Sequence, residues 1–141
     1  MPQKVCQFKT AMVIDDSVVQ RHHAVTICES LGLHVIAQAN NGQDALDQIA
    51  IRAELPQLLI VDLEMPIMDG YQATRAIRLL EQHLNQKPLP IIALTAHALP
   101  EHREACFAAG MTGYLSKPLI LSALTSMLSA YLPADSMAAS H

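Results

Sequence analysis

Cysteine is scarce in this chain and poorly spaced for pairing. Cys6, Cys28 and Cys106 are odd in number and form no C-x-x-C pair, so neither a disulfide framework nor a zinc knuckle is indicated. They are expected as buried or incidental thiols. No apolar run nears the roughly 18 to 20 residues that a bilayer-crossing helix needs, although 51% of the residues are hydrophobic. The opening stretch MPQKVCQFK lacks the apolar segment of a secretion signal, and the expectation is a cytoplasmic protein without direct membrane insertion. A Lys/Arg-rich stretch is also missing and the formal net charge is -4, which leaves no electrostatic footprint for direct nucleic-acid binding. Internal repeats and low-complexity segments are absent. The 7 histidines suggest no metal site, because His22 and His23 are adjacent and point about 100° apart on a helix. Surface or packing roles are expected for them.

What is present is a two-period pattern in a chain of 141 residues, the size of one domain with a single core. Short β-rich apolar runs recur at Ala11–Ile14, His34–Ala37, Leu58–Val61 and Pro90–Leu94, with a weaker one at Gly113–Leu115. The first four are almost continuously apolar, as in strands covered on both faces. Between them the period becomes helical: Ala24, Ile27, Cys28 and Leu31, then Ala45, Leu46, Ile49 and Ala53, then Ala73, Ile77, Leu80 and Leu84. A short Ala-rich helix with a poor stripe is expected at about Pro100 to Ala109, and it is the element expected to move. The last stripe is Leu121, Leu124, Leu128 and Tyr131. Pro100 suits a helix start, Gly32 and Gly110 suit helix ends, and Asn41-Gly42 reads as a turn.

Strands alternating with helices predict an α/β fold: a doubly wound, five-stranded parallel sheet with five flanking helices. Residues 10–132 make the domain; 1–9 read as an N-terminal tail and 133–141 as a C-terminal tail or linker.

In such a sheet, ligands bind beyond the carboxyl ends of the strands, where strand order reverses. The first expected strand ends in Asp15-Asp16, the third runs into Asp62, the fourth ends at Thr95 and the fifth runs into Lys117. With order 2-1-3-4-5 these side chains share one edge. Gathered carboxylates repel and raise one another's pKa values, so a hard divalent cation such as Mg²⁺ suits the cluster. A metal, a lysine and a hydroxyl around an aspartate are what neutralises a phosphoryl group in transfer, with Asp62 as the nucleophile. Taken singly, each residue has a plainer role. Asp16-Ser17 makes a good helix cap, Thr95 a capping hydroxyl and Lys117 a solvated charge; only their joint placement argues for a site.

The strings Val13-Ile-Asp-Asp-Ser17, Val61-Asp-Leu-Glu-Met-Pro-Ile-Met-Asp-Gly70, Ile92-Ala-Leu-Thr-Ala96 and Tyr114-Leu-Ser-Lys-Pro118 give the chain its identity as a family member: it resembles the receiver (response-regulator, CheY-like) domains of two-component signalling, most of all those of hybrid sensor histidine kinases. The resemblance implies a flavodoxin-like fold and a phosphorylation-dependent switch that accepts a phosphoryl group on Asp62 from a histidine kinase or histidine phosphotransfer domain. It further implies Mg²⁺ held by Asp16, Asp62 and the backbone carbonyl of Glu64, with Asp15 acting through water, and Lys117 paired with the phosphoryl group. Thr95 and Tyr114 are implied as the switch pair, Tyr114 turning from exposed to buried, with readout through the fourth helix, fifth strand and fifth helix to an output protein or domain or to a homodimer. Glu64 and His97 would tune dephosphorylation, Glu64 by hindering the hydrolytic water. The Lys117-Pro118 bond is expected to be cis, and Met65, Pro66, Met68 and Gly70 to shape the loop, Gly70 by permitting a tight turn. On this reading the chain is no enzyme beyond promoting its own phosphorylation and slow dephosphorylation. Two alternatives stand beside it: a haloacid-dehalogenase-like aspartyl-phosphate phosphatase, or a degenerate receiver acting as an interaction module.

Overall fold

A computed structural model describes residues 8–52, 55–65, 68–97 and 99–140, and from residue 131 onward the backbone alone. The elements run β1 (Thr10–Ile14), α1 (Val18–Ser30), β2 (His34–Ala39), α2 (Gly42–Arg52), β3 (Leu58–Asp62), α3 (Gly70–His83), β4 (Ile91–Thr95), α4 (Pro100–Ala109), β5 (Gly113–Ser116) and α5 (Leu121–Ser140). All the strand pairings are parallel, and the sheet order is β2-β1-β3-β4-β5. Right-handed crossovers then put helices on both faces.

The alternation of side chains along each strand divides the core in two. Met12, Ile14, Leu59, Val61, Ile91 and Ala93 face one way, onto Ala45 and Ile49 of α2, Ile77 of α3 and Cys106 of α4. Ala11, Val13, Leu58, Ile60, Ile92 and Leu94 face the other, onto Ala24, Val25 and Cys28 of α1 and Leu124 and Leu128 of α5. Every residue of β3 and β4 is buried, as continuous apolar runs require. β2 departs from that expectation: as an edge strand it leaves His34 and Gln38 exposed.

Two stripe residues fall outside the core. Leu84 lies past the end of α3 and Leu121 at the start of α5, and both are exposed. Val25 takes a core place that the α1 stripe did not assign. Ala53, Cys6, Pro66 and the Tyr131 side chain lie outside the described residues.

Punctuation works as local chemistry dictates. The Ser17 hydroxyl caps α1 by accepting the Gln20 N–H at 3.3 Å, so the cap is Ser17 and not Asp16. Asn41 caps α2 through Asp44 N–H at 2.8 Å, which makes Asn41-Gly42 a helix start rather than a free turn. Asp69 and Gln72 form a reciprocal capping box on α3. Pro100 opens α4, and Gly110 closes it in the left-handed region at φ 104°. At the amino end Phe8 packs against the core and Lys9 accepts the His34 N–H at 2.8 Å, so the ordered fold begins before Thr10. At the other end α5 continues as helix to Ser140, past Leu132 where the tail was expected to begin.

Candidate functional site

Strand register brings the polar residues together. Ile14 pairs with Val61, Asp62 with Leu94, and Thr95 with Ser116. Asp15, Asp62, Thr95 and Lys117 are therefore each at, or one residue beyond, a level set of strand ends. The backbone ladder continues past them: Asp15 N–H donates to Ala39 O at 3.0 Å, Leu63 N–H to Leu94 O at 3.0 Å, and Lys117 N–H to Thr95 O at 2.8 Å.

Lys117 Nζ stands 3.0 Å from Asp62 Oδ1 and 3.4 Å from Asp15 Oδ2. Asp15 and Asp62 are buried, each 1% exposed, while Asp16 faces solvent. Carboxylate oxygens of the three acids lie within 4.8 Å of one another. Asp15 Oδ1 accepts the Ser17 N–H at 2.9 Å and Asp62 Oδ1 the Glu64 N–H at 3.2 Å. Asp15 Oδ2 is buried with no hydrogen-bond partner, its contact with Lys117 being an ion pair without hydrogen-bond geometry. Lys117-Pro118 is cis.

Burial pushes the Asp62 carboxyl up from an ordinary 3.8 to about 7, with the Asp15 charge adding to the rise and the Lys117 hydrogen bond and charge opposing it. Burial alone would lower Lys117, but its hydrogen bond to Asp62 and the charges of Asp15 and Asp62 outweigh that and hold it above its ordinary value. Lys117 is thus a fixed cation between two acids, and the cluster still carries a surplus of negative charge.

The side chains of the other sequence-selected residues make their contacts outside the acid-lysine cluster. The Thr95 hydroxyl is fully buried and lies 3.1 Å from Glu64 Oε2, 3.1 Å from His97 O and 3.1 Å from the His97 N–H. Glu64 is exposed, yet its carboxylate is held by Thr95 rather than simply solvated. The His97 side chain is exposed, and it is the backbone of His97 that makes these contacts. Tyr114 is half-buried against the core cluster of α2, α3 and α4, not exposed as expected, because the β5 position it occupies faces that layer.

Gly70 also corrects its expectation. Its φ is not positive; what it provides is space, since a Cβ there would lie 2.6 Å from Asp62 O and 2.9 Å from Leu63 Cα. Arg21 was not foreseen at all. Its Nη1 donates to Asp15 O at 2.7 Å and its Nε to Gln38 Oε1 at 3.4 Å. Nothing in the sequence separates it from a solvated arginine; only the path of α1 back over the strand ends does.

The chain matches the response regulator receiver domain over residues 11–129. It is 41% identical over 108 residues to the sensor histidine kinase GacS of Pseudomonas protegens, covering 77% of this chain and 12% of the kinase. It is 37% identical over 120 residues to the sensor histidine kinase RcsC of Salmonella typhi, covering 85% of this chain and 12% of that protein. The chain therefore spans only a small part of the length of these curated relatives. Among solved structures, a putative response regulator from Chloroflexus aurantiacus superposes with a TM-score of 0.76 at 31% identity, over 89% of this chain and 98% of that one. Chemotaxis protein CheY4 of Vibrio cholerae does so with a TM-score of 0.74 at 28% identity, over 87% of this chain and 98% of that one. Among the described residues no helix is long and apolar enough to cross a membrane. With the fold, the level strand ends and the acid-lysine cluster in agreement, the chain belongs to the response regulator receiver domain family of two-component signalling.

Proposed function

We propose that this receiver domain is a stoichiometric switch that accepts a phosphoryl group on Asp62. The observation that carries the reading is the Asp15-Asp62-Lys117 cluster at the carboxyl ends of parallel strands, its two acids buried and Lys117 Nζ 3.0 Å from Asp62 Oδ1. An Asp62 carboxylate oxygen attacks the phosphorus of a phosphohistidine; the P–N bond breaks as the acyl-phosphate P–O bond forms, and the electron pair leaves with the imidazole nitrogen. Lys117 neutralises charge on the incoming group. The donor is a histidine kinase or phosphotransfer domain, as suits a chain whose relatives are sensor kinases.

The donor set fits Mg²⁺: hard oxygens, a negative surplus, and a buried Asp15 Oδ2 without a hydrogen bond. Asp16, Asp62 and the Glu64 carbonyl would hold it, with Asp15 acting through water, and when bound it supplies the second positive charge against the phosphoryl oxygens. Thr95 then turns toward the acyl phosphate, and Tyr114, on β5 beside α4, passes the change to the α4-β5-α5 face, where an output partner or second copy reads it. Glu64 and His97 flank the approach of a hydrolytic water and set the lifetime of the state. The switch is placed in residues 10–132, with Phe8 and Lys9 completing its amino edge.

Intact mass after incubation with acetyl phosphate and Mg²⁺ tests the reading. One gain of roughly 80 Da, the mass of one phosphoryl group, is expected, and it should vanish in Asp62→Asn. A gain that persists in that variant defeats the assignment, because an amide is not an acyl-phosphate acceptor.

A further inference from the structure

Thr95 has one hydroxyl proton and two acceptors in reach. Its oxygen accepts the His97 N–H at 3.1 Å, and the proton faces Glu64 Oε2 at 3.1 Å and His97 O at 3.1 Å. The second acceptor is already occupied. His97 O takes the Leu99 N–H at 3.0 Å, and it lies 2.6 Å from Nδ1 of His102 on α4. A carbonyl only accepts, so that ring nitrogen carries the hydrogen, and two donors fill the two lone pairs of the oxygen. The Thr95 proton is left to Glu64, whose charged carboxylate is also the stronger acceptor.

We propose that Glu64 is a positioning residue that latches Thr95 in the unphosphorylated state, holding its hydroxyl proton away from Asp62, with His102 reinforcing the latch by saturating His97 O. The proposal rests on Asp62 as the phosphoacceptor for its consequence, but not for its geometry. A phosphoryl oxygen on Asp62 must take the Thr95 proton from Glu64, so the side chain two residues past the acceptor sets how far the switch is biased toward rest. The chain Glu64–Thr95–His97–His102 also joins the acceptor loop to α4 directly, separately from Tyr114. Breaking its first bond removes a constraint on the loop between β4 and α4.

Beryllofluoride with Mg²⁺, an acyl-phosphate mimic, is titrated by NMR into the full chain and into Glu64→Ala, Glu64→Gln, Thr95→Val and the Glu64→Ala/Thr95→Val double variant. Glu64→Ala should tighten the mimic about fivefold, the magnitude of one net hydrogen bond. Glu64→Gln should fall between it and the parent, and it carries the comparison if the alanine variant folds poorly. With Thr95→Val, the gain from Glu64→Ala should shrink to the residual effect of removing a charge. An equal gain in both backgrounds overturns the latch and leaves Glu64 acting by charge alone. A second readout needs no ligand: Glu64→Ala and, separately, His102→Ala should each shift the Thr95 methyl and His97 amide resonances, and unmoved signals in both overturn the proposal. If no form of the protein takes up the mimic, the Asp62 reading fails, while the ligand-free spectra still decide the latch.

Discussion

The Cβ that Gly70 lacks would sit 2.6 Å from the carbonyl oxygen of Asp62. The first residue of α3 is thus packed onto the backbone of the acceptor itself, and its N–H donates to Leu63 O at 3.1 Å. Gly70→Ala forces either α3 or the Asp62 backbone to retreat. An overpacking cost of about 2 kcal/mol is expected, together with slower phosphorylation by acetyl phosphate because the carboxylate moves relative to Lys117. Urea unfolding and intact-mass kinetics measure the two effects; an alanine variant as stable and as fast as the parent rules out the contact as a constraint.

The raised Asp62 carboxyl makes stability depend on pH in a defined direction. Its value of about 7 in the folded chain lies above the ordinary 3.8, so between those values the folded protein holds a proton that the unfolded chain has lost. Stability from this group is complete below the ordinary value and is lost as pH rises through about 7. In EDTA, Asp62→Asn should therefore raise the melting temperature at pH 8 by about 4 °C, the shift that roughly 1 kcal/mol produces in a domain of this size. The advantage should shrink toward pH 5. A constant difference across that range would show that Asp62 does not titrate there. Added Mg²⁺ should compete with the proton and reduce the advantage at pH 8.

Lys117 holds the Asp62 value down through a hydrogen bond and through its charge, while Asp15 pushes it up. Lys117→Met removes both lowering effects and leaves two buried acids facing each other. The Asp62 carboxyl should then titrate above its parent value, followed through the carboxyl carbon resonance, and phosphorylation near neutral pH should fall at least tenfold for want of ionised nucleophile and neutralising charge. A lower or unchanged Asp62 value would contradict the ion pair seen at 3.0 Å.

The fold was readable because burial leaves a periodic mark. Leu58–Val61 is continuously apolar since helices cover β3 on both faces, and the register of β1, β3, β4 and β5 then fixes which acids meet. The signal fails where an element is only partly covered. β2 reads as apolar but sits at the edge, and Leu121 matches the α5 stripe but precedes the stretch that packs. Within the site, residue types revealed the acids and Lys117. They did not reveal Arg21 on the Asp15 carbonyl, the Thr95-Glu64 bond, or the steric reason for Gly70. Those depend on side-chain direction and on distances between backbones, for which a single sequence has no period.

One last ion pair separates fold stability from switching. Glu81 of α3 is 3% exposed and accepts the Leu89 N–H at 2.6 Å and Arg78 Nη1 at 2.8 Å. Arg78 also donates to Leu89 O and Gly110 O, each at 2.8 Å, tying α3 to the lead-in of β4 and the end of α4. The two partners are not equivalent. Removing Glu81 leaves Arg78 with its carbonyl partners and a side chain 19% exposed to water, whereas removing Arg78 strands a buried carboxylate with one backbone N–H. Arg78→Ala should therefore cost about 3 to 5 kcal/mol and Glu81→Ala about 2 kcal/mol. Because the pair lies away from the acid cluster, both variants should still take up one phosphoryl group while folded. Equal costs for the two substitutions in urea unfolding would mean that water reaches Glu81 and the pair is no buried clamp.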